Sequence, residues 1–383
     1  MKRTLKIIYL TPSLYIAGGV ERVLTTKANY FADVLGYEIY IILTDGKGKS
    51  PYYPLSPKVK VINLDINFEE LWHLSFLKKI PVYLKKQRIF KKKLTETLIN
   101  IKPDITISLL RREINFITSI KDGSKKIGEI HINRDNYRNF KTYEENFIKK
   151  IFAYFWDKQL LAKLKELDTF VVLTQDDKEK WPELSNINVI PNPLPFYPNV
   201  QSTCQQKRAI SVGRYSHEKG FDRLVKAWSI VTESHPDWIL HIYGSGDSNE
   251  LQKLIQELGI EKYILTHGST PEIIEKYKDS SIYLLTSRFE GFGMVLAEAM
   301  ACGVPCISFD CPYGPKNIIK NNDDGILVEN GNIKEFAKQI IHLINNEQER
   351  IAMGNKAHKN IKRLLVENIM SQWQTLFDEL LSN

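Results

Sequence analysis

The sequence predicts an α/β chain of two doubly wound parallel-sheet domains in tandem, with the ends of their strands facing a central cleft. Three observations lead there. Short apolar, β-branched runs alternate throughout with longer amphipathic segments, the pattern of parallel strands joined by helical crossovers. That series breaks once, at the proline-studded stretch 191–198 and the polar patch 201–207 that follows. And 383 residues, 43% of them hydrophobic, exceed what one core organises and suffice for two.

Before the break the runs fall at 5–10, 38–43, 59–64, 104–110, 126–130, 169–173 and 188–190. After it they fall at 209–212, 238–243, 263–266, 281–285, 306–309 and 325–328. The domains are therefore expected over residues 1–195 and 208–365, with a linker at 196–207. Ligands of such sheets bind beyond the carboxyl ends of the strands, so motifs that carry chemistry belong just after the runs.

Composition excludes several classes. No apolar run approaches the roughly 20 residues that cross a bilayer. Lys2, Arg3 and Lys6 give a basic start, but the apolar stretch 7–10 stops at Thr11-Pro12, which reads as a first strand and not a signal peptide. Cys204, Cys302, Cys306 and Cys311 form no CxxC pair and read as packed, reduced thiols of a cytoplasmic protein. Charge is uneven: residues 1–190 hold 33 Lys and Arg against 22 Asp and Glu, the remainder 20 against 23. The first half expects an anionic neighbour.

The main motif occupies residues 287–305. A buried strand ends near Thr286, a glycine-bearing loop follows, and 294–301 is a strong helix former that Gly303 closes. Free N–H groups of Phe292, Gly293, Met294 and Val295 at the head of that helix suit a diphosphate. Glu290 lies in the loop and Glu298 about two turns into the helix. A carboxylate accepts two hydrogen bonds at once from paired hydroxyls, so one Glu suits a ribose and the other a transferred sugar. The competing reading is dipole compensation plus a surface ion pair. Glu298 sits among Leu296, Ala297, Ala299 and Met300, where an unpaired charge is costly, and this favours a ligand.

Three further motifs follow predicted strands. Gly213 permits a turn after the first strand of the second domain, and Arg214 and Lys219 reach one anion from the loop and the next turn. Two cations on a diphosphate neutralise a leaving group without a metal. Gly18-Gly19 follows the first strand and permits close approach to a ligand, though a plain turn fits equally and GxGxxG is absent. His131 stands just past the strand at 126–130, on the rim of the expected cleft, where structural and functional roles compete.

Taken together, these ordered motifs resemble the retaining glycosyltransferases of the GT-B fold, specifically the large family 4, or glycosyl transferases group 1. The resemblance covers nearly the whole chain. It rests on Gly18-Gly19, the linker motif at 189–193, Gly213-Arg214 with Lys219, and the E-x7-E of Glu290 and Glu298. It implies Rossmann-like domains, a nucleotide-diphosphate sugar as co-substrate, most simply a UDP-sugar, and no metal or other cofactor. Arg214 and Lys219 would bind the diphosphate, Glu298 the ribose, and Glu290 with the amides of Phe292, Gly293, Met294 and Val295 the sugar and β-phosphate. His131 would contact the sugar, while Tyr243, Gly244 and Thr270 would line the nucleoside pocket. Catalysis would rest on Glu290, His131, Arg214 and Lys219. The final helix, within 366–383, would cross back to the first domain. Many relatives carry Glu where this chain has Asn317.

The implied product is a hexosyl or N-acetylhexosaminyl linkage to a hydroxyl of a glycan or lipid-linked acceptor, in polysaccharide biosynthesis such as capsule or O-antigen. Residues 78–93 carry eight Lys or Arg and no acid, interleaved with apolar and aromatic side chains. Lys85, Lys86, Arg88, Lys91, Lys92 and Lys93 are thus candidates for an anionic membrane or a lipid-linked pyrophosphate, against a simply solvated helix face. The enzyme is expected in the cytoplasm, peripheral on the inner face of the membrane. Two rivals remain: a non-hydrolysing nucleotide-sugar epimerase of the same architecture, and a basic membrane- or nucleic-acid-binding protein without catalysis. The second leaves the Glu, Arg and Lys motifs without a purpose, and nucleic acid is not expected as a partner.

Overall fold

The computed structural model describes residues 4–137 and 147–382. Among them, all thirteen apolar runs fold as strands, each within two residues of the sequence-based bounds. They divide into two parallel sheets.

The first sheet is built from β1 (Lys6–Thr11), β2 (Glu38–Leu43), β3 (Lys60–Asn63), β4 (Ile105–Ser108), β5 (Lys125–Glu129), β6 (Thr169–Val172) and β7 (Ile187–Val189). Their spatial order is β3-β2-β1-β4-β5-β6-β7. The chain first winds outward from β1 and then returns to β1's other side, so β1 and β4 flank the switch point. Helix α1 (Gly19–Asp33) follows β1, and α2 (Phe76–Ile101) and α3 (Phe147–Lys165) precede β4 and β6. Short α4 (Gln175–Glu179) is capped by Thr174, whose hydroxyl accepts from the Asp177 N–H. The core gathers Ile8, Leu10, Phe68, Phe90, Leu94, Phe170 and Trp181, all 4% exposed or less.

The second sheet holds β8 (Arg208–Val212), β9 (Ile239–Tyr243), β10 (Ile264–His267), β11 (Ile282–Leu285), β12 (Cys306–Asp310) and β13 (Gly325–Glu329), in the order β10-β9-β8-β11-β12-β13. Here the switch point lies between β8 and β11. Helices α5 (Phe221–Ser234), α6 (Asn249–Glu257), α7 (Ile273–Lys278), α8 (Met294–Ala301), α9 (Pro315–Ile318), α10 (Ile333–Asn345) and α11 (Glu347–Asn360) complete this unit. Trp228, Phe309 and Phe336, none of them accessible, anchor its separate core.

Each sheet with its helices is a compact unit: one reaches to Pro193 and also takes in the residues from Val366 onward, the other is Leu194–Leu365. The last helix, α12 (Val366–Ser382), packs on α1 through Phe377 against Phe31, with ring centroids 5.6 Å apart. Residues after Leu194 are already tied into the second unit, the Leu194 N–H to the Leu364 carbonyl and Ser202 to Ser280 and Cys302. All four cysteines are free and buried.

Candidate active site

In the second unit, glycine lets three strand-end loops touch. An added Cβ at Gly244 would lie 1.8 Å from the Gly213 carbonyl oxygen, so the loops after β8 and β9 meet backbone to backbone. The Gly213 N–H donates to the Tyr243 carbonyl and the Gly244 N–H to that of His267. Gly220, in the left-handed region at φ 63°, brings its own backbone against Thr286 at the end of β11, where a Cβ would lie 2.1 Å from the carbonyl oxygen. Arg288 completes the tie, its N–H on the Glu218 carbonyl and its guanidinium bidentate on Asp222 at 2.8 Å. The β8 and β11 loops therefore form one wall at the switch point, where doubly wound sheets bind ligands.

That wall carries the charged motif residues. The Lys219 ammonium donates to Glu290 Oε1 at 2.7 Å, and the Ser287 hydroxyl donates to the same oxygen at 2.6 Å. Glu290 is 7% exposed, and its N–H reaches the Pro312 carbonyl. Gly293 adopts φ 88°, which glycine takes at no steric cost, and α8 begins at the next residue. Among the described residues no hydrogen bond occupies the N–H groups of Phe292, Gly293, Met294 or Val295, so the positive end of α8 opens beside Lys219 and Glu290. Arg214 is exposed on the β8 loop, and its guanidinium makes no hydrogen bond among the described residues. Glu298, inside α8 and 3% exposed, accepts from the Tyr277 hydroxyl at 3.2 Å.

The neighbouring strand ends present an aromatic stack. The rings of Tyr243 and His267 are 4.4 Å apart and nearly parallel, and His241 Nδ1 lies 3.0 Å from His267 Nε2. Burial, with Arg208 and His267 nearby, lowers His241 to about 4, so that imidazole is neutral at ordinary pH. Thr270 accepts from the Glu272 N–H in the loop beyond β10. Asn317 lies in α9, its carbonyl accepting from Arg363.

In the first unit, Gly18 is the N-cap of α1 with extended backbone, and a Cβ there would collide with the Glu21 carboxylate at 2.0 Å. His131 lies two residues beyond β5, its side chain 7% exposed and its Nε2 3.2 Å from Glu129 Oε1. Glu129 is held by Lys27 of α1, a pairing that sequence reasoning missed. It also missed Ser287 and Tyr277, although Ser287 lies inside the 287–305 motif. Of the basic candidates, Lys85, Arg88, Lys91 and Lys92 are exposed on α2. Lys86 and Lys93 are not on that face: their ammonium groups satisfy the Ile66 and Leu64 carbonyls at 2.6 Å, and Lys86 also pairs with Glu70. Among the described residues no three His, Cys, Asp or Glu side chains are grouped to hold a metal ion, and no helix is long and apolar enough to cross a membrane.

Two parallel sheets, with the N-terminus of α8 beside the Lys219–Glu290 pair at a switch point, form the arrangement at which doubly wound folds bind ligands. Residues 199–360 match the glycosyl transferases group 1 family. An uncharacterized glycosyltransferase of Haemophilus influenzae is 30% identical over 375 residues, 96% of this chain and 99% of that one. The amylovoran biosynthesis glycosyltransferase AmsD of Erwinia amylovora is 27% identical over 97% of this chain and 99% of its own. The fold matches S. aureus TarM, solved with fondaparinux, α-GlcNAc-glycerol and UDP, at a TM-score of 0.76 and 19% identity over 98% of this chain and 100% of that one. The chain belongs to the glycosyl transferases group 1, family 4, and is a glycosyltransferase of the GT-B fold.

Proposed function

We propose that the chain transfers a hexose or N-acetylhexosamine, with retention and without a metal, from a UDP-sugar to a hydroxyl of a glycan or lipid-linked acceptor in polysaccharide synthesis. The observation that carries this reading is the open N-terminus of α8 beside the Lys219–Glu290 pair, at the switch point of the second sheet. UDP in the TarM structure and the polysaccharide role of AmsD support the donor and the pathway class.

In this reading Arg214, Lys219 and the amides of Phe292 to Val295 hold the diphosphate, and Glu298 the ribose. The stacked Tyr243 ring, Gly244 and Thr270 border the base. Lys219 also orients Glu290 toward the sugar. As the bond from C1 to the β-phosphate oxygen breaks, the sugar becomes oxocarbenium-like. The acceptor oxygen then bonds C1 on the same face, and its proton passes to the departing phosphate. Fixed positive groups on that phosphate lower the barrier because their orientation is prepaid by folding. Thermal-shift screening against nucleotide diphosphates and their sugars tests the donor. UDP is expected to stabilise most, and stabilisation by none overturns the reading.

The acceptor side of the reading is a lipid carrier at an anionic membrane surface. Exposed Ile80, Leu84 and Ile89 alternate on α2 with exposed Lys85, Arg88, Lys91 and Lys92, combining apolar insertion with cationic attraction. Flotation with phosphatidylglycerol vesicles is expected to carry the protein, and Gln at the four cations to release it. Equal flotation of the variant removes this part.

A further inference from the structure

Glu298 lies in α8 at 3% exposure, among Leu296, Ala297, Ala299 and Met300, none of them accessible. A carboxylate that is to accept from two adjacent ribose hydroxyls gains most when its plane is set before the ligand arrives, since ordering it afterwards costs binding free energy. A second element reaches the group. From α7, the Tyr277 hydroxyl donates to Glu298 Oε2 at 3.2 Å.

Tyr277 is itself firmly placed. Its side chain is fully buried, and its ring meets that of Tyr283 on β11, with centroids 5.9 Å apart and planes tilted by 55°. Tyr283 in turn donates to the Val212 carbonyl at the end of β8, at 3.4 Å, so the packing that holds the phenol starts from the strands flanking the switch point. Helix α7 also follows the loop that holds Thr270, which puts the proposed border of the base and the donor to Glu298 on one short segment. A plainer role, satisfaction of a buried phenol, competes with this one. The neighbouring tyrosines show how the fold does that at little cost: Tyr283 and Tyr215 both donate to backbone carbonyls, Tyr215 to that of His267 at 2.7 Å. Tyr277 instead takes a carboxylate, whose burial costs far more than that of a carbonyl, a cost that ligand binding can offset.

We propose that Tyr277 is a positioning residue, whose hydroxyl holds Glu298 Oε2 and turns the carboxylate to accept from the 2′- and 3′-hydroxyls of the donor's ribose. One donor leaves room for two more, because an ionised carboxylate offers about four lone-pair sites. This role rests on the UDP-sugar reading above. Calorimetry with UDP and with 2′,3′-dideoxyuridine diphosphate, on wild type, Tyr277→Phe, Glu298→Gln and the double variant, tests it. Wild type is expected to prefer UDP by at least about tenfold. Tyr277→Phe, which keeps the ring against Tyr283, should weaken UDP about 5- to 10-fold and the dideoxy nucleotide less than about twofold, so the preference nearly disappears. In the Glu298→Gln background the preference is already lost, and Tyr277→Phe should lower it no further. Equal weakening of both nucleotides by Tyr277→Phe means that the phenol only supports the fold, and overturns the proposal. So does a loss of preference that multiplies with that of Glu298→Gln. Wild type that binds both nucleotides equally removes the ribose from Glu298 and overturns the proposal while the donor reading stands. Binding of neither overturns the donor reading and this role with it.

Discussion

Glu290 shares one carboxylate oxygen between Lys219 and Ser287, and this arrangement separates its expected role from that of Glu298. Glu290→Gln releases the Lys219 cation toward a phosphate, so nucleotide affinity should not fall, whereas kcat should drop about 100- to 1,000-fold if Glu290 meets charge that develops on the sugar. Glu298→Gln should weaken UDP binding by the roughly 1.5–3 kcal/mol of a charged hydrogen bond, with a smaller effect on kcat. Calorimetry with UDP and steady-state kinetics check both, and the reverse pattern exchanges the two roles. Asp177 provides a pH-dependent counterpart away from this site. Burial, opposed by the Arg134 N–H on Oδ1, raises its carboxyl from 3.8 to about 6. A raised acid contributes stability below pH 3.8 that is lost as pH rises through 6. Asp177→Asn should therefore stabilise the protein by at most about 3 kcal/mol at pH 7.5 and hardly at pH 4. Urea unfolding at the two pH values checks this, and an equal gain at both contradicts it. The placement of Glu290 and Lys219 in strand-end loops was legible in the sequence because each follows a continuous apolar run that could only be a buried strand. The pairing of Lys27 with Glu129 was not, because the two lie 102 residues apart and a lysine in an amphipathic helix reads as solvent-facing.

At the scale of elements, the strands were legible because burial on both faces forces continuous apolar runs, as in Ile282–Leu285 with all four residues buried. Helix α2 was legible as a basic segment but not in its orientation. Only the fold reveals that Lys86 and Lys93 turn inward to loop carbonyls while Lys85 and Arg88 stay exposed. The contact between α11 and the end of α8 was illegible for a related reason, since it depends on backbone approaching backbone. Gly354 lies inside α11, where Ala would ordinarily gain about 1 kcal/mol in helix propensity. Here its Cβ would lie 2.3 Å from the Gly303 carbonyl oxygen and 3.2 Å from Cys204 Sγ and Pro305 Cδ. Gly303 is itself the left-handed residue that closes α8, at φ 75°, and cannot easily yield. Gly354→Ala should thus destabilise by about 1–3 kcal/mol, reversing the sign that propensity gives. A raised midpoint in urea would mean that α11 shifts freely, and the proposed close packing would be discarded.

For the whole molecule, the consequential fact is that two cores, one around Phe90 and Phe170 and the other around Trp228 and Phe309, belong to separate compact units. Every group proposed to hold the nucleotide lies in Leu194–Leu365. A ligand stabilises only the cooperative unit whose native state it binds, by about 2.7 kcal/mol at a hundred times its dissociation constant. UDP should therefore slow amide exchange in the core strands of the second unit, β8 and β11 above all, by up to about 100-fold where exchange follows that unit's global opening. The loops at 213–220 and 286–293 should gain protection directly, because UDP covers their N–H groups. Strands β1 and β5 of the first unit should exchange at unchanged rates with UDP alone. Hydrogen exchange read by mass spectrometry, with and without saturating UDP, separates the outcomes. Protection confined to the second unit supports nucleotide binding by the residues named here. Equal protection of β1 and β5 would require nucleotide contacts from the first unit, and the assignment of the donor diphosphate to Arg214, Lys219 and the α8 terminus would then be incomplete.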